Sequence, residues 1–171
     1  MRKTLLVINE LKKHRIIEDY AIGGGIAAIY YIEPILTYDL DVFVILSQVE
    51  GRKVIDMSQL YDNLHSEGYI WEKEHLIIEG VPVQFIPADE LETEAIHDAV
   101  EIDYEGVKTR ILSAEYLIAI LIRAGRRKDI EKVRKLMQQP KLKYDKLRSI
   151  LLKHGLLDKY KKLDLYEEEK D

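Results

Sequence analysis

The sequence predicts an α/β fold in which helices pack on a mixed β-sheet. One observation is the stretch from Tyr20 to Leu46, where a short apolar segment is followed by a glycine turn, a helical segment and an apolar strand. The run Val42 to Leu46 is typical of a strand buried on both faces. A second observation is that segments with helical spacing and segments with strand alternation are interspersed along the chain. The 171 residues are 47% hydrophobic and 33% charged, so they can bury a substantial core.

Apolar spacing in the first third of the chain predicts two helix–strand pairs. Pro34 marks the end of the second helix, because a residue before proline avoids the α region. We expect the glycine turn and the second strand to be neighbours in one sheet, with helices on one face. The predicted elements are helix Lys3 to Ile16, strand Tyr20 to Ile22, helix Gly25 to Ile32 and strand Asp39 to Leu46, with a loop over Ser47 to Ile55.

Turn and capping residues delimit the elements that follow. Asp56 is expected to cap a helix, with Gln59 at the reciprocal position. Glu79-Gly80 predicts a hairpin turn within Tyr69 to Ile86, and Pro82 places the return strand at an edge or a bulge. The remaining predicted elements are helix Ala88 to Ala99, a hairpin over Val100 to Ile111, a helix capped by Ser113 and broken at Gly125, and helices Lys128 to Met137, Tyr144 to His154 and Leu156 to Lys162.

The composition excludes several classes of protein. There are no cysteines, which excludes disulfides, a thiolate nucleophile and zinc–cysteine sites. No apolar run reaches the roughly 18 residues of a membrane span, and the N-terminus turns polar too soon for a signal peptide. We therefore expect a soluble cytoplasmic protein without a membrane partner. The five histidines lack ligand spacing and are predicted to be structural or solvated: His14, His65, His75, His97 and His154.

The charge distribution is strongly asymmetric. The net charge is −5, yet Arg123 to Lys162 contains 15 Lys or Arg residues and only 4 Asp or Glu residues. Such a basic segment is typical of a nucleic-acid contact, which makes RNA a candidate partner. The alternative is a set of solvated helices docked on an acidic domain, and the sequence leaves both interpretations open. The predicted domains are residues 1–137 and a basic helical extension over 138–171.

The glycine turn and a pair of aspartates carry the chemistry predicted from the sequence. Gly23, Gly24 and Gly25 allow positive φ and close approach of a ligand, and the helix after them favours phosphate. Asp39 and Asp41 project from the same face of a strand. Adjacent carboxylates repel each other unless a cation lies between them, and oxygen ligands suit Mg²⁺. The alternative is a glycine hairpin with two solvated aspartates.

Two other phosphate-binding motifs do not fit. No Gly-Lys-Ser/Thr follows the glycines, which excludes a P-loop. The glycines are also contiguous, whereas the dinucleotide motif spaces them as G-x-G-x-x-G.

These residues resemble the signature of the DNA polymerase β-type nucleotidyltransferase superfamily. The resemblance rests on Gly24-Gly25 and on Thr37-x-Asp39-Leu40-Asp41, and a helical segment over Leu112 to Asp129 matches a second motif. The most similar branch is the small stand-alone group that includes abortive-infection type toxin nucleotidyltransferases. The resemblance implies a nucleoside triphosphate as substrate and Mg²⁺ or Mn²⁺ as cofactor. It assigns Asp39 and Asp41 to catalysis and, with Gln84, to the metal, and it assigns nucleotide binding to Gly23, Gly24, Gly25, Thr37, Arg126 and Lys128.

Three positions depart from the family pattern. The third metal-binding carboxylate is expected at Gln84, which can offer a carbonyl oxygen to a metal but cannot act as a base. Leu121 stands where a phosphate-facing lysine is common, and Ile35 where an arginine often precedes the aspartates. Each change removes charge that would stabilise a transferring phosphoryl group. Two hypotheses follow: a nucleotidyltransferase acting on an RNA, protein or small-molecule hydroxyl, or a weakly active or inactive module that binds nucleotide, RNA or an antitoxin-like protein partner.

Overall fold

The computed structural model describes residues 1–33, 36–47 and 56–163. The predictions that concern Pro34, Ile35 and most of the loop over Ser47 to Ile55 lie outside the described residues, as does the end of the predicted 138–171 extension. The elements are α1 (Arg2–Lys13), β1 (Ile17–Ile22), α2 (Gly24–Tyr31), β2 (Leu40–Leu46), α3 (Ser58–Ser66), β3 (Ile70–Glu72), β4 (His75–Ile78), β5 (Val81–Pro87), α4 (Glu90–His97), β6 (Val100–Tyr104), β7 (Val107–Ile111), α5 (Ala114–Ala124), α6 (Arg127–Met137), α7 (Tyr144–Lys153) and α8 (Leu157–Lys161).

The described strands form one seven-stranded sheet in the order β3-β4-β5-β2-β1-β7-β6. β2 runs parallel to β5, and β1 runs parallel to β7, while the other neighbouring pairs are antiparallel. The sheet is therefore mixed, which confirms the predicted α/β fold. None of the described helices has the length and continuous apolar character that crossing a membrane requires.

Helices cover both faces of the sheet, so the expectation of a single covered face is wrong. The Tyr20 hydroxyl of β1 donates to Asn9 of α1 and contacts Thr109 of β7. The next residue of β7, Arg110, projects to the opposite face and donates to the carbonyl of Ile96 in α4. With both faces covered, the central strand β2 is apolar almost throughout, as its sequence predicts.

Helix α5 lies at the centre of the helical half of the molecule. Eight of its eleven residues are buried, and α6 and α7 pack against it. The helix ends at Gly125, whose left-handed backbone (φ +66°) confirms the predicted break. Ser113 is the N-cap residue but makes no capping bond; its hydroxyl donates instead to Asp98.

The segment from Tyr69 to Ile86 differs from the predicted single hairpin. It contains a second turn at Lys73-Glu74, where Lys73 adopts a left-handed φ of +57° that no glycine or proline announces. Pro82 lies in β5, an interior strand, so its predicted edge position is wrong. Proline is tolerated there because neither neighbouring strand needs the N–H group that it lacks. Pairing with β2 begins one residue later, at Val83, and the two-residue turn makes Pro82 and Ile77 a pair without backbone hydrogen bonds.

The predicted capping box before α3 is also absent. The helix begins at Ser58, and its N-cap residue Met57 makes no side-chain capping bond. Asp56 accepts bonds from the backbone and hydroxyl of Ser58, which forms a local turn ahead of the helix.

Candidate functional site

The glycine turn lies directly against the strand that carries the aspartates. The Gly23 amide donates to the Asp41 carbonyl at 2.9 Å. Gly24 has a φ of +56°, and a Cβ placed on it would overlap the Asp41 carboxylate. A Cβ on Gly25 would stand 2.6 Å from the Thr37 hydroxyl oxygen. The absence of side chains on the glycines therefore allows the turn to lie against Thr37 and Asp41.

Helix α2 begins inside this turn. Its N-cap residue is Gly23, and no side chain caps the helix. The first helical bond runs from the Ala27 amide to the Gly23 carbonyl. The amides before Ala27 have no partner within the helix, and this is the arrangement that binds anions at helix N-termini.

Asp41 of β2 and Gln84 of β5 are paired directly in parallel strands. Residues paired in this way project from the same face of a sheet, and Asp39 projects from that face as well, two residues earlier. The neighbouring strand adds a histidine, because the register that pairs Leu76 with Val83 brings His75 beside Gln84. The His75 Nε2 lies 3.3 Å from the Asp39 Oδ2.

The surroundings of Asp41 disfavour its ionised form. Burial, and then the negative charge of Asp39, raise the pKa of Asp41 from 3.8 to about 6. The positive charges of Lys132, Arg126 and Lys128 oppose this rise without cancelling it. A cation bound between the two carboxylates would offset the repulsion from Asp39, which is the second of these two causes.

The donor set fits a divalent metal ion. Asp39, Asp41 and Gln84 offer two carboxylates and an amide oxygen on one face, and hard cations such as Mg²⁺ bind oxygen ligands. Across the described residues, no group of three or more His, Cys, Asp or Glu side chains is arranged to hold a metal. A metal at this site would therefore rely on two protein charges and complete its coordination with water or substrate phosphate.

Three cations on α6 and its N-cap lie near the aspartates: Arg126, Lys128 and Lys132. Arg126, the N-cap residue of α6, donates to both carboxylate oxygens of Asp129, at 2.6 and 3.3 Å. Asp129 is completely buried, and the Lys132 Nζ lies 3.7 Å from its Oδ1. The bond to Asp129, and next the charges of Asp41 and Asp39, raise the pKa of Arg126. Lys128 is exposed one turn before Lys132.

Leu121, at the position of the expected lysine, is buried with 3% of its surface exposed. It belongs to the core beneath α5 and contributes no charge to the site. Ile35 lies outside the described residues. Sequence reasoning also overlooked two residues: His75, which was predicted to be structural or solvated, and Lys132.

Both overlooked residues left a signal in the sequence. The two-residue turn at Glu79-Gly80 fixes the hairpin register, and counting back from it places His75 opposite Gln84. Lys132 follows Lys128 by four residues, so the two lysines share one side of a helix.

Solved structures with a similar fold include a nucleotidyltransferase-like protein and ANT(2")-Ia. An antigenic nucleotidyltransferase-like protein from Paracoccidioides brasiliensis matches with a TM-score of 0.52 and 20% identity, over 95% of this chain and 90% of its own. ANT(2")-Ia, crystallised with adenylyl-2"-tobramycin, matches with a TM-score of 0.54 and 18% identity, over 94% of this chain and 99% of its own. The solution structure of ANT(2'')-Ia gives a TM-score of 0.51 and 17% identity, over 98% and 97%.

The fold is a nucleotidyltransferase fold. No protein-family model and no curated protein matches this chain. At these identities the likeness to solved structures establishes the fold alone. The toxin branch stays a prediction.

Several residues of the basic segment pair with acidic residues on α4 and the residues that flank it. Arg123 binds Asp89 at 2.7 Å and also binds Glu92. Further links run from Lys146 to Asp98, from Lys153 to Glu94 and from His154 to Glu94. These contacts favour the docked-helix interpretation for α5 and α7. Four basic residues of α6 are exposed and form no ion pair with the described residues: Arg127, Lys128, Arg134 and Lys135.

Proposed function

We propose that this protein is a metal-dependent nucleotidyltransferase that moves a nucleoside monophosphate from a nucleoside triphosphate to a hydroxyl group. The observation that carries the proposal is the contact between Gly24 and Asp41. It brings a helix N-terminus suited to phosphate against a carboxylate pair suited to a cation. A triphosphate bound with Mg²⁺ or Mn²⁺ has the charges that complement both halves of this site.

In the proposed reaction the acceptor hydroxyl oxygen attacks the α-phosphorus of the triphosphate. A new P–O bond forms, the bond from the α-phosphorus to the bridging oxygen breaks, pyrophosphate leaves, and the hydroxyl proton passes to solvent. A bound divalent cation polarises the phosphoryl oxygens when it is present. Asp39 and Asp41 would hold it, with Gln84 as an oxygen donor. The amides of the glycine turn, with Thr37, Arg126 and Lys128, would bind the triphosphate and orient it.

A module that binds nucleotide without transferring it is the second candidate. Gln84 occupies the row of the sheet where a third carboxylate would face the metal, and its amide cannot take a proton from the acceptor. Leu121 is buried and supplies no charge to the phosphates. Both observations favour slow transfer or binding alone, with RNA or a protein as the partner.

The acceptor class is left open among RNA, protein and small hydroxyl compounds. ANT(2")-Ia was crystallised with an adenylylated aminoglycoside, which makes a polyhydroxylated small molecule one acceptor to test. Exposed cations on α6 make RNA another.

Transfer of label from each of the four α-³²P nucleoside triphosphates tests the proposal. The purified protein is incubated with Mg²⁺ or Mn²⁺ and with total RNA, tobramycin or itself as acceptor, and Asp41→Asn serves as the matched control. Label that appears on an acceptor with wild type and is lost in Asp41→Asn supports the enzyme. Nucleotide binding without transfer supports the binding module, and the absence of both refutes the two candidates together.

A further inference from the structure

The proposed site needs a phosphate-binding cation that α5 does not supply. Leu121, where the family resemblance leads us to expect a lysine, is packed in the core. Helix α6 packs against α2, whose N-terminal turn contacts Asp41, and so brings charged residues near the aspartates. In agreement with this placement, the positive charges of Lys132, Arg126 and Lys128 lower the pKa of Asp41. Helix α6 can therefore supply the charge that is missing at Leu121.

Lys132 has the position and the environment for this role. It follows Asp129 by three residues and Lys128 by four, so all three lie on neighbouring positions of the α6 surface. Its side chain is only 17% exposed, which is unusual for a lysine and confines the ammonium group close to the protein. Among the cations that lower the pKa of Asp41, Lys132 has the largest effect.

The buried Asp129 restrains Lys132 without saturating it. Arg126 takes both oxygens of the Asp129 carboxylate in hydrogen bonds. Lys132 lies 3.7 Å from the nearer oxygen, which is beyond hydrogen-bond distance. Among the described residues Lys132 makes no side-chain hydrogen bond, so its N–H donors can bind a ligand while the charge of Asp129 holds the ammonium group in place.

We propose that Lys132 binds the triphosphate of the nucleotide at the Asp39–Asp41 site and takes the place of the lysine that is absent at Leu121. The inference rests on the proposed function and adds Lys132 to Arg126 and Lys128, the cations already assigned to the triphosphate. A half-buried ammonium group binds phosphate more strongly than an exposed one, because less water competes for it.

Lys135 provides a matched control on the same helix. It is a lysine three residues beyond Lys132, and it is exposed, whereas the side chain of Lys132 is only 17% exposed. Lys132→Gln and Lys135→Gln therefore remove the same charge from the same helix, one from a largely buried side chain and one from an exposed one. Lys132→Arg restores the charge and tests whether a cation at this position is sufficient.

Calorimetric titration with inorganic tripolyphosphate and Mg²⁺ tests the proposal, because this probe does not depend on which base the site prefers. ATP and adenosine are titrated in parallel, and thermal unfolding is measured for each variant. We expect Lys132→Gln to weaken tripolyphosphate binding by about tenfold or more, as is typical when a charged hydrogen bond is lost. Lys135→Gln should change it less than about twofold, and Lys132→Arg should recover most of the affinity.

The outcomes separate this inference from the proposed function. If wild type binds neither tripolyphosphate nor ATP, the proposed function fails, and the role of Lys132 that rests on it is overturned as well. If wild type binds and the two glutamine variants bind equally well, Lys132 is not the phosphate ligand. If Lys132→Gln weakens adenosine as much as tripolyphosphate, or if Lys132→Arg does not recover binding, the residue acts through structure and the proposal is overturned.

Discussion

Asp41 and Gln84 are direct partners in the parallel pair β2–β5. The strand register therefore places a neutral amide where a third negative charge would complete the metal site. Asp41 is half-buried and already lies beside the negative charge of Asp39. The neutral Gln84 adds no repulsion to the pair Asp39 and Asp41, but it also limits how many cations the site can hold.

Gln84→Asp should strengthen metal binding. The change adds a third carboxylate on the face shared by Asp39 and Asp41, with a side chain one carbon shorter. We expect Mn²⁺ affinity, measured by calorimetry, to rise by about tenfold. If the site is a weakened catalyst, transfer of labelled nucleotide should rise as well, because two metal ions can then stabilise the attacking and leaving oxygens.

Gln84→Asn is the control variant for this prediction. Gln84→Asn keeps the amide and shortens the side chain, so it separates charge from length. Unchanged Mn²⁺ affinity in Gln84→Asp would mean that residue 84 does not reach the metal. Stronger binding without any transfer would favour the binding module.

Gly24→Ala should disrupt the site at its closest contact. A Cβ at this position overlaps the Asp41 carboxylate, and the φ of +56° disfavours any side chain. We expect urea denaturation to show a loss of about 2 kcal/mol or more, together with the loss of nucleotide binding.

Gly155→Ala is the matched control for backbone strain. Gly155 has a φ of +66°, and a Cβ there meets nothing within 4 Å. This variant should lose about 1 kcal/mol and bind nucleotide normally. If Gly24→Ala also binds normally, the contact between the turn and Asp41 is not required for function.

Arg123→Met should destabilise the docking of α5 on α4. Arg123 bonds to Glu92, which is 3% exposed, and to Asp89, the N-cap residue of α4. Removing the cation leaves the buried Glu92 carboxylate without a compensating positive charge, and the expected loss is about 3 kcal/mol in the free energy of unfolding. Arg127→Met, at an exposed residue, should change it by about 0.5 kcal/mol or less. Equal losses in the two variants would contradict this account.

The parts of the site that the sequence predicted are those with local patterns. The glycine triplet and the i, i+2 spacing of Asp39 and Asp41 each specify geometry within a few residues, and the Glu79-Gly80 turn fixes the strand that carries Gln84. These features depend little on the rest of the fold.

The parts that the sequence did not predict depend on tertiary approach or on unmarked backbone. The charge of Lys132 acts on the pKa of Asp41 because α6 packs beside α2, an approach that no short sequence pattern encodes. The turn at Lys73-Glu74 has no glycine or proline, and Lys73 accepts a left-handed conformation in its place. The basic segment pairs with α4 through contacts between residues up to 60 positions apart.

The stability of the metal-free protein should depend on pH through Asp41. Its pKa is about 6 in the folded protein, against an ordinary value of 3.8, so the folded state binds more protons than the unfolded chain between these values. Folding is then stabilised by protonation below about pH 4, and this contribution is lost as pH rises through 6. A difference of about two pKa units corresponds to a loss on the order of 3 kcal/mol. Urea denaturation in a chelating buffer, from pH 4 to pH 7, measures it.

Asp41→Asn removes the titrating group and isolates its contribution. The free energy of unfolding of wild type relative to Asp41→Asn should fall between pH 4 and pH 6.5 and stay flat above that. Histidine changes charge in the same range, and His75 contacts Asp39, so the comparison is repeated in a His75→Gln background. A difference between the two proteins that does not vary with pH would show that Asp41 is already ionised at pH 4. The cation needed to relieve its repulsion from Asp39 would then be supplied by α6 rather than by a metal.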